Sequence, residues 1–341
     1  MTRAGTARRL AAGAAYGGGG VGLAGAALYA VLREEARAAR RNIDARREPD
    51  PPAGNGVYGR GRTRPLSFVV LGDSSAVGLG VQRAAQTPGV LLAAALAELA
   101  ERPIRLTRLA VSGAKSPQLA DQVEAALEEK PALALIMIGA NDVTSRTRPS
   151  VSVHHLGEAV RRLTEAGAEV VVGTCPDLGT IRPIGQPLRL LARRWSRQLA
   201  AAQTIAVVEA GGRTVSLGSV LGPKFATDLS MFSNDQFHPS AAGYAQAAAV
   251  LLPALADAIG AWPEGADRRL RTGRREAVQP VARAAARAAA RSGTEVQPAE
   301  KRGATAGPRG PWALLRRPRT PEVPTAEEAE RAEQSPEVLA P

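Results

Sequence analysis

The sequence predicts an α/β fold, a mainly parallel sheet covered by helices on both faces. Three observations predict it. Between residues 66 and 262 short apolar runs alternate with longer amphipathic ones, the order of β–α units whose parallel strands are buried on both faces and read as unbroken hydrophobic stretches. Several of the apolar runs stop abruptly at Gly-containing turns, the place where open α/β sheets hold their chemistry. The block is also roughly 200 residues long, ample for one such core.

Taken in order, 67–72 is a strand through Phe68, Val69, Val70 and Leu71, and 89–100 is an Ala- and Leu-rich helix. Residues 104–111 form the next strand, 118–129 a helix, and 134–139 a strand through Leu135, Ile136 and Ile138. The spacing of apolar residues then predicts a helix over 155–166, a strand over 169–174, a helix over 188–203, a strand over 205–209 and a final helix over 240–259. Cys175, the one cysteine, rules out an internal disulfide and a cysteine-based zinc cluster; at the end of the run Val170 to Val172 it reads as a buried thiol.

The flanks differ in composition. The chain carries 44 Lys and Arg against 32 Asp and Glu, distributed as 12 against 5 in residues 1–65, 17 against 16 in 66–262 and 15 against 11 in 263–341. The charge excess lies almost wholly outside the central block. Basic chains raise the prospect of nucleic acid, whose binding rests on neutralised phosphates. Here the cation excess lies in flanking segments, the cations are nearly all Arg, and aromatic residues for base stacking are few, so no nucleic-acid partner is expected. Anionic lipid suits a basic flank better.

Residues 1–32 combine a basic start (Arg3, Arg8, Arg9) with 23 uncharged residues over 10–32, long enough to cross a bilayer at 1.5 Å per residue. Two readings stand: an uncleaved hydrophobic membrane anchor, or a secretory signal. The absence of a clear small-x-small cleavage site favours the anchor. Arginines follow the segment in greater number than they precede it, so the positive-inside rule and the signal-like start point to opposite sides of the membrane. The expectation is a protein anchored by a single N-terminal span, or secreted, with its side open. Residues 33–65 read as a charged, Pro/Gly-rich linker. In 263–341, an Ala/Arg-rich helix over 281–291 precedes a tail from 294 to 341 whose Pro, Gly, Glu and Arg content predicts disorder.

The chemistry begins at Gly72-Asp73-Ser74-Ser75, which ends the first strand of the block and puts one hydroxyl at the sheet's carboxyl edge. Alone it is ordinary turn chemistry. A serine needs a neighbouring imidazole to take its proton, and the imidazole needs an acceptor to fix its tautomer. Of three histidines, His238 in Asp235-Gln236-Phe237-His238-Pro239 meets both needs, because Asp235 reaches the ring if the segment makes one turn. His154 and His155 read as surface or capping residues, with no further ligands at metal spacing. Two other strand ends carry donors suited to an oxyanion. Asn141 in Gly139-Ala140-Asn141-Asp142 offers a side-chain amide, and Gly113 in Ser112-Gly113-Ala114 offers a bare backbone N–H. Asp73 and Asp142 read as turn-holding carboxylates.

These four blocks, in this order, resemble the SGNH subgroup of the GDSL hydrolases over about residues 66–260. The resemblance implies a three-layer α/β/α sandwich related to flavodoxin-like sheets, without metal or organic cofactor. It implies Ser74 as nucleophile, His238 as base and Asp235 as its partner, with Ser74, Gly113 and Asn141 forming the oxyanion hole. The expected activity is serine-dependent hydrolysis of a carboxylic ester, of esterase, lipase or deacetylase type, through an acyl-enzyme. The substrate is then a small-molecule, lipid or glycan ester. Acyl transfer to a cell-envelope glycan or lipid uses the same residues, and an inert membrane-tethered binding protein is the alternative from another class. Arg146, Arg148 and Arg182, in the segments 144–153 and 178–187 that shape the pocket, would suit an anionic substrate, though exposed Arg is common in this chain.

Overall fold

The computed structural model of the chain describes residues 25–218, 228–262, 278–291, 293–299 and 312–316. Along the chain run α1 (25–44), β1 (Gly56–Tyr58), β2 (Leu66–Gly72), α2 (Ser74–Val77), α3 (Pro88–Leu99), β3 (Ile104–Arg108), α4 (Leu119–Glu128), β4 (Leu133–Met137), α5 (Ala140–Thr144), α6 (Pro149–Glu165) and β5 (Glu169–Gly173). There follow α7 (Leu188–Glu209), β6 (Arg213–Val215), α8 (Ala241–Ala258), β7 (Val278–Pro280), α9 (Val281–Ala290), β8 (Glu295–Pro298) and β9 (Trp312–Arg316).

Five parallel strands form the centre in the order β3-β2-β4-β5-β6. The chain leaves β2 for β3 on one side and returns to β4 on the other. That reversal opens a crevice above the carboxyl end of β2, the position at which doubly wound sheets bind ligands. Side chains alternate across the sheet: Phe68 and Val70 enter one core with Leu92 and Leu96 of α3 and Leu251 and Leu255 of α8, while Val69 and Leu71 enter the other with Leu119, Val123, Leu156 and Leu163. Each such leucine stabilises by about 1.5–3 kcal/mol relative to exposure, and together they hold the strand ends rigid under the crevice.

The parallel centre is as expected, and antiparallel strands added at both edges make the whole sheet mixed. β1 pairs with β3 on one side, and β8, β9 and β7 extend β6 on the other. The run 205–209, expected as a strand, is instead the last turn of α7, and the strand is Arg213–Val215. A five-residue apolar run does not distinguish strand from buried helix by periodicity; here Val207 and Val208 are buried from a helix that stops at Gly211. α6 starts six residues earlier than expected, on Pro149 at its first turn.

Two flanking expectations are corrected. Residues 33–65 are not a bare linker: they carry most of α1 and all of β1. Arg108 donates to the Pro51 and Pro52 carbonyls, and its N–H bonds the Asn55 side chain. Such backbone-directed polar bonds leave no hydrophobic period to read. Within 294–341, expected as disordered, β8 and β9 complete the sheet edge, with Val296 and Ala313 packed against Val281, Ala284 and Ala288 of α9 and Val208 of α7. Residues 317–341 lie outside the described residues. So do 1–24, and with them most of the expected anchor at 10–32; among the described residues no helix is long and apolar enough to cross a membrane.

Candidate active site

β2 ends at Gly72, where the backbone adopts φ +133° and a Cβ would lie 1.9 Å from the Met137 carbonyl oxygen of β4. Only glycine fits so close to a neighbouring strand. Asp73 then caps α2, its Oδ1 accepting from the Ser75 N–H at 3.0 Å and the Ser75 hydroxyl at 2.6 Å. Ser74 is thereby fixed as the first helical residue, 9% exposed.

His238 arrives from a loop tied into a short hairpin by the Phe232–Pro239 bridge and the bond from the Ser233 N–H to the His238 carbonyl at 2.9 Å. Within it, Asp235 Oδ1 accepts from the Ser233 hydroxyl and from the Phe237 and His238 N–H groups at 2.8–2.9 Å. Its Oδ2 is left for His238 Nδ1, at 2.6 Å. His238 Nε2 lies 2.9 Å from Ser74 Oγ. With the Nδ1 proton facing a carboxylate, Nε2 presents its lone pair to the serine hydroxyl. Burial works to raise the Asp235 pKa, but the hydrogen bond and charge of His238 and the Phe237 N–H outweigh it and hold the carboxyl below its ordinary range. The imidazole thus faces an ionised carboxylate on one side and a hydroxyl on the other.

Gly113, in the left-handed region at φ +84°, and Asn141 line the same cavity as Ser74 and His238, a space of about 760 Å³. Asn141 Nδ2 donates to the Ala114 carbonyl at 3.1 Å, which leaves one N–H of the amide for a ligand. Asp142 acts as the expected turn holder, accepting from the Ser116 N–H and hydroxyl and from the Ser152 hydroxyl. His154 and His155 sit on α6, outside the cavity. Cys175 is buried, and burial first, then the nearby carboxylates, raise its pKa well above the ordinary value, so it stays a thiol.

Several positioning residues escaped the sequence reading. Gln122 of α4 brackets the Gly72 peptide, accepting from its N–H at 2.7 Å and donating to its carbonyl at 3.0 Å. Gln203 of α7 likewise joins two strand ends, accepting from the Cys175 N–H at 2.7 Å and donating to the Ile138 carbonyl at 2.9 Å. The available signal was a Gln on the apolar face of each helix, in line with Leu119 and Val123 or with Leu199 and Val207. α1 is the third surprise. Tyr29, Arg33, Ala36, Arg40 and Ile43, one face of the helix, form a wall of the cavity. Glu35 accepts from the Leu188 N–H at 2.9 Å, capping an α7 terminus that has no side-chain cap of its own, and Arg40 donates to the Thr144 carbonyl at the end of α5. Further along, Glu48 accepts from Asn234 and Asp50 from Ser112, so the segment spans the site.

A serine hydroxyl, an imidazole and a carboxylate in hydrogen-bonded line at the carboxyl edge of a doubly wound sheet define a hydrolase of the α/β class. The comparisons with known proteins narrow this. The chain belongs to the GDSL-like lipase/acylhydrolase family, whose model matches residues 70–246, and it is an ester hydrolase of that family. It is 47% identical over 222 residues to a GDSL-like esterase of Mycobacterium tuberculosis, covering 61% of this chain and 71% of that protein. Among solved structures it is similar to a catalytic mutant of an acetylxylan esterase from Geobacillus stearothermophilus, at 20% identity over 59% of this chain and 95% of the other, with a TM-score of 0.43. It is also similar to TesA, at 24% identity over 57% and 96% of the two chains, with a TM-score of 0.42.

Proposed function

We propose that the protein cleaves carboxylic esters through an acyl-enzyme on Ser74. His238 Nε2 takes the Ser74 proton as Oγ attacks the ester carbonyl carbon, and the carbonyl π pair moves onto oxygen. Asp235 holds the imidazolium that forms. The oxyanion accepts from the Ser74 and Gly113 N–H groups and the free Asn141 N–H, dipoles aimed at charge that exists only after attack. As the oxyanion collapses, His238 returns the proton to the leaving alcohol. Water then repeats the sequence on the acyl-serine with His238 again as base, releasing the acid and Ser74. The observation that carries this reading is the hydrogen-bonded chain Ser74 Oγ to His238 Nε2 at 2.9 Å and His238 Nδ1 to Asp235 Oδ2 at 2.6 Å, opening on a cavity large enough for an ester.

The test is hydrolysis of p-nitrophenyl butyrate. Ser74→Ala and His238→Ala abolish it, and Ser74→Ala also abolishes labelling by a fluorophosphonate. Asn141→Ala lowers kcat/KM roughly a hundredfold, on the order of 3 kcal/mol. Wild-type turnover in either of the first two variants refutes the assignment, and an unlabelled Ser74 in the native protein favours an inert binding protein. Acyl transfer to a glycan or lipid hydroxyl replaces water by that acceptor; a new ester formed when acceptor is supplied identifies it. We also propose that 10–32 attach the protein to a membrane, on the ground of its uncharged length. Release from membranes by carbonate would refute attachment, and protease access to the tail in intact cells reports the side.

A further inference from the structure

The mouth of the catalytic cavity is cationic and asymmetric in its pairing. Among the described residues five arginines line it, Arg33, Arg37, Arg40, Arg47 and Arg146, against one carboxylate, Asp44. Three of the five are engaged: Arg37 pairs with Glu34, Arg47 with Asp50, and Arg40 donates to the Thr144 carbonyl. Arg33 and Arg146 have no carboxylate partner among the described residues. They come from different elements, Arg33 from the α1 face that walls the cavity and Arg146 from the turn directly after the helix that carries Asn141.

The backbone at Arg146 makes a left-handed helix stop, as it also does at Glu101 after α3 and Lys130 after α4. α5 ends with the Arg146 N–H bonded to the Val143 carbonyl and the Thr147 N–H to the Asp142 carbonyl, a helix stop whose left-handed position is ordinarily glycine. Arg146 occupies it at φ +57°, a strained conformation for a side chain bearing Cβ.

We propose that Arg33 and Arg146 bind an anionic group of the substrate, a phosphate or carboxylate carried by the ester cleaved at Ser74. Guanidinium forks match both anions, and a low-dielectric cleft lined by one sign of charge draws such substrates in. The apolar lining beside them, Ile43, Leu79, Val143 and Ile184 among others, takes the hydrocarbon part. The proposal rests on the catalytic reading of Ser74, and its test separates the two.

The full-length protein is assayed on neutral p-nitrophenyl butyrate with hexyl phosphate, heptanoate or hexanol as competitor. Binding of the same three to Ser74→Ala is followed by calorimetry, which needs no turnover. The expected result is that at least one anion competes about tenfold better than hexanol at low salt, the advantage of one charge-assisted pair on a partly exposed rim, and that roughly 0.5 M salt shrinks it. The stronger of the two anions identifies phosphate or carboxylate. Arg33→Ala with Arg146→Ala removes the advantage, whereas Arg148→Ala, on the same loop but outside the cavity lining, keeps it. Arg146→Gly weakens anion binding without lowering Tm, which a residue serving only as a helix stop would not do. Equal competition by anions and hexanol, or an advantage that survives the double variant, overturns the proposal. Hydrolysis persisting in Ser74→Ala would instead refute the catalytic reading and leave the anion site standing.

Discussion

At the scale of single residues, two carboxylates close to the same imidazole are driven in opposite directions. Asp235 is held below its ordinary pKa because its bonds to His238 outweigh burial; Asp73 is raised, by burial first, against the opposing bonds from Ser75. A depressed native pKa means that Asp235 contributes stability above about pH 3.8 that is lost as pH falls through its native value. For Asp73 the sign reverses: its charge opposes folding as pH rises above about 3.8. Only Oδ1 of Asp73 does structural work, and Oδ2 is buried without a partner beside a small cavity of about 60 Å³. Asp73→Asn keeps the acceptor and drops the charge. It should therefore raise stability at pH 7 and leave it unchanged near pH 3.5, as read from urea midpoints at the two pH values. A loss of stability at pH 7 would contradict this account of the pKa.

At the scale of elements, the site is a set of strand ends whose heights are set from behind by side chains on helices. Gln122 is the clearest case, since it bonds both the backbone N–H and the backbone carbonyl of Gly72, the residue before Asp73, in a buried region. Gln122→Leu fills the space but leaves the buried Gly72 N–H unpaired, while the carbonyl keeps its bond from the Val111 N–H, at a cost of about 1–3 kcal/mol. The predicted outcome is a lower denaturation midpoint together with a fall in kcat, since α2 begins at that turn; an unchanged midpoint would show that the bracket is dispensable. The strand-end residues Ser74, Gly113 and Asn141 were legible because each interrupts an apolar run, and Asp235 and His238 because they share a short loop. Gln122, Gln203 and Glu35 were not, because their partners lie 28 to 153 residues away and no local pattern announces such a bond.

At the scale of the whole molecule, the core block and the described parts of its flanks pack together. α1 walls the cavity, and α9 with β8 and β9 covers Val208 and the edge of β6. A fragment of residues 60–262 loses both. It should unfold at a lower temperature and self-associate through the bared β6 edge, and it should lose selectivity among esters, since one side of its cavity is open. Thermal melts, size-exclusion profiles and a chain-length series of esters compared with the full chain check this; a fragment equal to the full chain in all three would return the flanks to the status of linkers.

The sequence by itself determined the α/β class, the parallel centre of the sheet, the family resemblance, and the five candidate residues, four lining the cavity and Asp235 behind His238. These are local signals: apolar period, abrupt Gly turns, and residue types whose chemistry allows few other roles. Tertiary structure alone decided that the flanks belong to the enzyme, that the sheet has antiparallel edges, that 205–209 is helix, and that two glutamines and a glutamate hold the site in place. Each of those depends on polar pairing or edge completion between distant segments, where the energy comes from which groups meet in space and leaves no period in the chain.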